Sequence, residues 1–256
     1  MGNSLTDKRL GWRKDKHDPR DYVHRPKYEA MRIPPSVNLL KWTAPIRNQG
    51  KEGSCVGFGV GGGLSSVAKQ LKVYKEWFSP RDIYNGARYL EGDMQQEGCM
   101  PRDAWRWVVA NGCLLEHFWP YVVNQDSNVL PPAEFNVDRA QWPVVSYIRV
   151  DQGTAGLMSA LAEGHFVSIG TPWFEEWMSP GLSGKLSAPS GSSSVAGGHE
   201  TYLYGYDSGK ELFFGCNSWG RTWGSCGKYK MPFSSFDVFK DLGGYDAHYG
   251  VVNWSS

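Results

Sequence analysis

Four side chains in this sequence have the types and order needed to turn a thiol on a carbonyl carbon: Gln49, Cys55, His199 and Asn217. A thiol of ordinary pKa is mostly protonated near neutral pH and needs a cation or a helix N-terminus beside it to become a nucleophile. Cys55 follows the loop-like stretch Gly50-Lys-Glu-Gly-Ser54 and opens a run of small and apolar residues. A helix starting there would aim unpaired N–H groups at the sulfur. His199, in Gly197-Gly-His, can act as base and later as acid toward the leaving amine. Asn217, in Asn217-Ser-Trp-Gly, can fix the imidazole's orientation, with Trp219 covering the bond from water. Gln49 and the backbone N–H of Cys55 form an oxyanion clamp, in which loss of one donor costs about two to three orders of magnitude in rate. Each residue alone has an ordinary structural reading, and it is the four together that carry the argument. The chemistry needs no cofactor and no metal, and the six histidines show no H-E-x-x-H spacing for zinc.

The elements that must hold these groups apart and then together are legible in part. The run from Cys55 to Leu71 can be a buried helix only at a cost, since each interior glycine is worth roughly 1 kcal/mol against alanine, so its small side chains imply close packing. Ser79-Pro80 reads as the cap and first turn of a second helix, and Arg102 to Asn111 as a third, ended by Gly112. Beyond about residue 143 come short β-rich runs, Val144 to Val150, Phe166 to Gly170, Thr201 to Tyr206 and Leu212 to Cys216, interrupted by one helix over Gly156 to Glu163. Helices first and strands later indicate an α+β protein of two lobes. Gly181 to Gly198, rich in Ser and Gly, reads as a surface loop leading to His199. Residues 1–36 read as an extended basic arm and 37–256 as the domain, with 37–143 mainly helical and 144–256 mainly β.

A net charge of +1 gives no case for a nucleic-acid partner, and the absence of any long apolar run gives none for a membrane. With no apolar segment for a secretory signal, a cytoplasmic location is expected, with release by lysis or another route not requiring a signal left open. The five cysteines are then expected as free thiols, Cys216 and Cys226 being the pair to check. Three short motifs are set aside. Met1-Gly2 with Thr6 is a chance myristoylation pattern, Gly57 to Gly62 lacks the strand that a dinucleotide site requires, and Asn253-Trp-Ser255 is a glycosylation acceptor only in a secreted protein.

The order Gln49, Cys55, His199, Asn217 resembles the papain family of cysteine peptidases, with Asn217 slightly late against the family's spacing. The resemblance extends over roughly residues 35–235. It takes in Phe78-Ser-Pro, Glu116-His-Phe-Trp-Pro-Tyr121 and Trp223-Gly-Ser-Cys-Gly-Lys-Tyr229, while Gly11-Trp-Arg-Lys-Asp with Asp18-Pro-Arg-Asp-Tyr22 is similar to leaders of compact microbial and viral members. It implies a helical N-terminal lobe, a β-barrel-like C-terminal lobe and a cleft between them. It also implies a monomer that hydrolyses peptide or protein substrates through a thioester, most simply as an endopeptidase. The same groups would serve a transpeptidase or amidase, or persist in an idle peptide-binding homologue. Two departures stand out: Glu52 where the family places a disulfide cysteine, and Val56 where it places an aromatic. By resemblance Gly98 and Cys99 pair with substrate backbone, and Met100, Pro101 and Gly198 border the subsite for the second residue before the cut, with an apolar preference expected. The short, extended arm implies that the enzyme is not held as an ordinary zymogen.

Overall fold

Helix α1 (Cys55–Gln70) is the axis of the molecule, with Cys55 at its first position. Its glycines are there because backbone and side chains press on it from two sides. A Cβ at Gly57 would lie 2.4 Å from the Pro80 carbonyl oxygen, and one at Gly59 would lie 2.6 Å from the Glu200 side chain. This computed structural model describes residues 9–26, 33–125, 127–151 and 153–255, so the Met1, Gly2 and Thr6 pattern lies outside the described residues. The dinucleotide-like glycines are interior turns of α1.

Helix α2 (Pro80–Glu91) starts as its sequence predicts, with the Ser79 hydroxyl accepting from the Asp82 N–H at 3.1 Å and Pro80 in the first turn. Helix α3 (Pro101–Asn111) ends at Gly112, whose φ of 79° suits glycine. A short α4 (Asn136–Ala140) leads to β2 (Val144–Arg149), α5 (Gly153–Ala162), β3 (Val167–Phe174), β4 (Val195–Asp207), β5 (Leu212–Cys216), β6 (Lys228–Pro232), α6 (Ser235–Asp241) and β7 (Asp246–Val252), while β1 (Ser36–Asn38) precedes α1. The Ser/Gly-rich segment before His199 is shorter as a loop than expected, because its last four residues already belong to β4.

The strands form one antiparallel sheet in the order β2-β7-β3-β4-β5-β6, with β1 added beside β4. This corrects the β-barrel-like lobe. The end strands β2 and β6 do not pair with each other, so the sheet is open. Each exposed edge is covered locally instead, which removes the need for closure: Tyr22 and His24 exchange backbone hydrogen bonds with Arg149 of β2, and Lys185 bridges to Lys230 of β6.

The two largest of the buried clusters among the described residues divide between the sheet and the helices. One, beneath the sheet, is aromatic and includes Trp173, Trp177, Phe213, Tyr229 and Phe239. The other, around α1 to α3, includes Leu64, Ile83, Trp105 and Val108, and takes in Val144 and Trp254 from the β half of the chain. The Trp105 indole N–H donates to the Ser168 hydroxyl of β3 at 3.1 Å, so the lobes are joined behind the cleft. Among the described residues, no helix is long and apolar enough to cross a membrane.

Candidate active site

Cys55 is fully buried at the N-terminus of α1, and the backbone N–H groups of Glu200, Gly11 and Val56 are directed at its sulfur. His199 comes from β4, across the cleft, and is also fully buried. Asn217 lies one residue beyond β5, and its Oδ1 is 2.7 Å from His199 Nε2. The same oxygen accepts from the Ser218 N–H at 2.7 Å, which fixes the amide's orientation and makes Nε2 the protonated ring nitrogen. Nδ1 is therefore left with its lone pair free, and it makes no hydrogen bond. Trp219 stacks on the imidazole at 4.4 Å and 25°, and Trp173 of β3 meets it edge-on at 4.8 Å. The sequence shows Trp219 beside Asn217 but gives no sign of Trp173, which arrives by the β3–β4 pairing.

Gln49 is buried and held at both ends: its Oε1 accepts from the Ser218 hydroxyl at 2.5 Å, and its Nε2 donates to the Glu52 carbonyl at 2.9 Å. Tyr121 braces the same loop, donating to the Gln49 carbonyl at 2.6 Å and sharing a hydrogen bond with the Ser54 hydroxyl at 2.8 Å. Glu52, where the resemblance places a cysteine, forms a buried ion pair with Arg81 of α2, and that guanidinium stacks over Tyr121 at 4.4 Å. A salt bridge thus ties the nucleophile loop to α2. All five cysteines are free thiols, with Cys216 buried and Cys226 exposed.

The cleft is occupied by the chain's own N-terminal segment. Gly11 accepts from the Cys99 N–H at 3.0 Å, Arg13 donates to the Cys99 carbonyl at 3.1 Å, and Trp12 donates to the Gly198 carbonyl at 3.0 Å. Gln49 Nε2 donates a second hydrogen bond to the Arg9 carbonyl at 3.2 Å. Further along, Arg13 pairs with Glu91, and Arg102 clasps Asp18 and Asp21. Gly98, Cys99 and Gly198 thus pair with extended backbone, and that backbone belongs to the arm. Met100 caps α3, while Pro101 is buried in its first turn.

Burial under this segment sets the protonation of the site. Desolvation pushes the Cys55 thiol up to about 12, outweighing the N–H groups that would lower it. Desolvation pulls His199 down to about 4 despite the bond to Asn217. The pair is therefore a neutral thiol and a neutral imidazole at neutral pH, where sequence reasoning anticipates an ion pair. Glu200, beside His199 in the chain, is pushed well above the ordinary carboxyl range by burial and then by Asp15 and Asp246, and its side chain packs against Gly59. Among the described residues there is no cluster of three or more His, Cys, Asp or Glu side chains arranged for a metal ion.

A two-lobed α+β fold with a cysteine at a helix N-terminus and a histidine of the sheet hydrogen-bonded to an asparagine defines a class of thiol peptidases. The sequence profile described as papain family cysteine protease matches residues 33–236, and the chain belongs to that family. It is 26% identical over 200 residues to an uncharacterized peptidase C1-like protein of Acanthamoeba polyphaga mimivirus, covering 73% of this chain and 63% of that one. It is 27% identical over 230 residues to procathepsin L of Mus musculus, covering 86% of this chain and 66% of that one. The chain thus spans slightly under two thirds of the length of these relatives. In fold it is similar to xylellain, a cysteine protease from Xylella fastidiosa, with a TM-score of 0.86 at 23% identity, covering 99% of this chain and all of that one.

Proposed function

We propose that the protein is a cysteine endopeptidase in which Cys55 is the nucleophile, His199 the base and acid, Asn217 the residue that orients His199, and Gln49 with the Cys55 N–H the oxyanion clamp. The observation that carries this reading is the His199–Asn217 hydrogen bond under Trp219, which leaves a bare Nδ1 to take a thiol proton. The domain reading, an arm over 1–36 and a peptidase domain over 37–256, is part of the proposal. The arm is a built-in cover: it fills the cleft, desolvates the thiol and the imidazole, and keeps both uncharged until it lifts. The expectation that the enzyme is not held as an ordinary zymogen leaves room for an arm lying over the lobes, and it is that arrangement which supports this cover. Once water and substrate replace the arm, the thiol regains the helix N-terminus without the desolvation penalty. Attack on a peptide carbonyl then gives a thioester, with His199 protonating the leaving amine and afterwards activating water.

The test is covalent labelling by an epoxysuccinyl peptide, read by intact mass and peptide mapping, beside hydrolysis of an unfolded protein substrate. A single adduct on Cys55, absent in Cys55→Ala, strongly slowed in His199→Ala and abolishing hydrolysis, is the expected result. Labelling without hydrolysis of any substrate once the arm is displaced would sink the peptidase reading.

A further inference from the structure

The two donors of the oxyanion clamp, the Gln49 amide and the Cys55 backbone N–H, are separated by the loop Gly50–Ser54 and must still converge on one oxygen. The amide itself is aimed. Gln49 Oε1 accepts from the Ser218 hydroxyl, and of the two hydrogens on Nε2 one goes to the Glu52 carbonyl at 2.9 Å. A single donor is left for the cleft, where the Arg9 carbonyl takes it at 3.2 Å. What fixes the distance from that amide to the Cys55 N–H is a side chain from outside the loop.

Tyr121 is 4% exposed, and its hydroxyl lies 2.6 Å from the Gln49 carbonyl and 2.8 Å from the Ser54 hydroxyl. A carbonyl has no proton to give, so the tyrosine's one proton goes to Gln49 and Ser54 donates to Tyr121. These two hydrogen bonds span the loop, from the residue that carries the amide to the residue whose peptide bond carries the Cys55 N–H. Ser54 is committed to them. It occupies the N-cap position of α1, where a serine hydroxyl ordinarily accepts from the second or third helical N–H, yet its backbone at φ −94° and ψ 15° is not extended as a cap requires, and it makes no capping bond. The Tyr121 ring is held in turn, packing on Phe58 of α1 at 4.7 Å and lying under the Arg81 guanidinium that pairs with Glu52. A buried network whose members are all satisfied rigidifies the groups it joins.

We propose that Tyr121 is a positioning residue of the oxyanion clamp, its hydroxyl setting the separation between the Gln49 amide and the Cys55 N–H. The inference rests on the peptidase reading. Tyr121 acts through Gln49 and Ser54, so its effect falls on addition to a carbonyl and spares reactions of the thiol that form no oxyanion.

The test uses the full-length chain with Gly11→Ala, whose Cβ has no room beside the Gly53 carbonyl and so lifts the arm. In that background Tyr121→Phe removes the hydroxyl and keeps the ring. Misplacing a donor forfeits part of what the clamp supplies, and the expected result is kcat for a peptide substrate lowered about tenfold with KM within about twofold. Alkylation of Cys55 by iodoacetamide, in which sulfur displaces iodide from a saturated carbon, should stay within about twofold, because no oxyanion forms. Beside Gln49→Ala the same substitution should cost less than about twofold, since the donor it positions is gone. An unchanged kcat, equal losses in hydrolysis and alkylation, or an undiminished loss beside Gln49→Ala would each overturn the proposal. Should Tyr121→Phe lack a cooperative melt, Ser54→Ala breaks the same network at its other end, where a fall in kcat of at least about threefold is expected and no fall overturns the proposal.

Protection of Cys55 from iodoacetamide by a peptide aldehyde separates the two levels of inference. The thiol adds across the aldehyde C=O, sulfur bonding to carbon and the proton passing to oxygen, and that oxygen occupies the clamp. Protection weakened about tenfold by Tyr121→Phe, in a protein that hydrolyses no peptide, upholds the positioning role and counts against the peptidase reading. Equal protection with and without the hydroxyl overturns the positioning role.

Discussion

The smallest substitution that should open the site is Gly11→Ala. A Cβ there would stand 1.8 Å from the Gly53 carbonyl oxygen and 2.4 Å from its carbon. Both are backbone atoms of the nucleophile loop, and that loop is tied down by Tyr121 and the Glu52–Arg81 pair, so a side-chain rotation cannot relieve the clash. The arm has to rise. Lifting it locally breaks the hydrogen bonds from Cys99 N–H to Gly11, from Trp12 N–H to Gly198 and from Arg13 N–H to Cys99. At about 1 kcal/mol net for each, the seated arm loses about 3 kcal/mol, which raises the open population about a hundredfold. If a small uncharged alkylating agent reaches Cys55 only through open molecules, its rate tracks that population. The assay is iodoacetamide alkylation of Cys55 followed by mass spectrometry, beside a thermal melt. The expected result is alkylation about two orders of magnitude faster than wild type with the main unfolding transition retained. An alkylation rate within about threefold of wild type, in a protein that melts normally, would refute the claim that the arm governs access to the thiol.

Asp15 gives closure a pH dependence. Burial and the neighbouring Asp246 raise its pKa, and Asp103 and Asp21 add to the effect, while the Arg102 N–H opposes it. His248, 3.4 Å away, is itself lowered to about 3 by burial and stays neutral above that, so it does not offset the charge. A carboxyl raised in the seated state stabilises seating fully below its ordinary value near 3.8, and that contribution is lost as pH climbs. Wild-type alkylation divided by that of Gly11→Ala should therefore rise from pH 4 toward pH 8, and Asp15→Asn should flatten the curve; a flat wild-type curve would exclude this coupling. Arg81→Ala strands buried Glu52 and should cost about 3–5 kcal/mol in urea unfolding, with Glu52→Gln recovering part of it; a cost below about 1 kcal/mol would mean the pair is not a clasp. In a Gly11→Ala background, Gln49→Ala should lower kcat by about a hundredfold to a thousandfold with little change in KM, and steady-state kinetics with equal losses in both would assign Gln49 to substrate binding instead.

The candidate site was readable in the sequence as a set of residue types that packing does not require together. Gln49, Cys55, His199 and Asn217 are separated along the chain, yet Cys55 does begin a helix and His199 does meet Asn217. Helix starts were readable for a local reason: Ser79-Pro80 and Gly112 act within one turn of where they stand. Strand β6 was missed although Lys228–Pro232 alternates, because it is only five residues long, and β7 because Asp246–Val252 shows no clean alternation and its pairing is decided by distant partners. The open sheet could not be foreseen, since what covers the β2 edge is Tyr22 and His24 of the arm, remote in sequence. Trp12 and Asp246 escaped for the same reason. A tryptophan in a basic leader and an aspartate after two glycines acquire meaning only when 234 residues of separation close to one hydrogen bond.

The arm's register explains how a peptidase cleft can hold a peptide without cutting it. Thiol attack needs one carbonyl to put its carbon on the sulfur and its oxygen on the clamp at the same moment. The arm divides these contacts between two residues. Gln49 receives the carbonyl oxygen of Arg9, while the sulfur of Cys55 receives the N–H of Gly11. Leu10 lies between them, so the carbonyl held at the clamp is not the group facing the thiol. The N–H that does face the thiol offers a proton where attack requires an electrophilic carbon. The backbone hydrogen bonds to Cys99 and Gly198 fix this offset, and Trp12 anchored on Asp246 keeps the arm from sliding by a residue into a reactive alignment. The contacts that make the arm a good occupant of the cleft are thus also the ones that hold its carbonyls out of line with the sulfur.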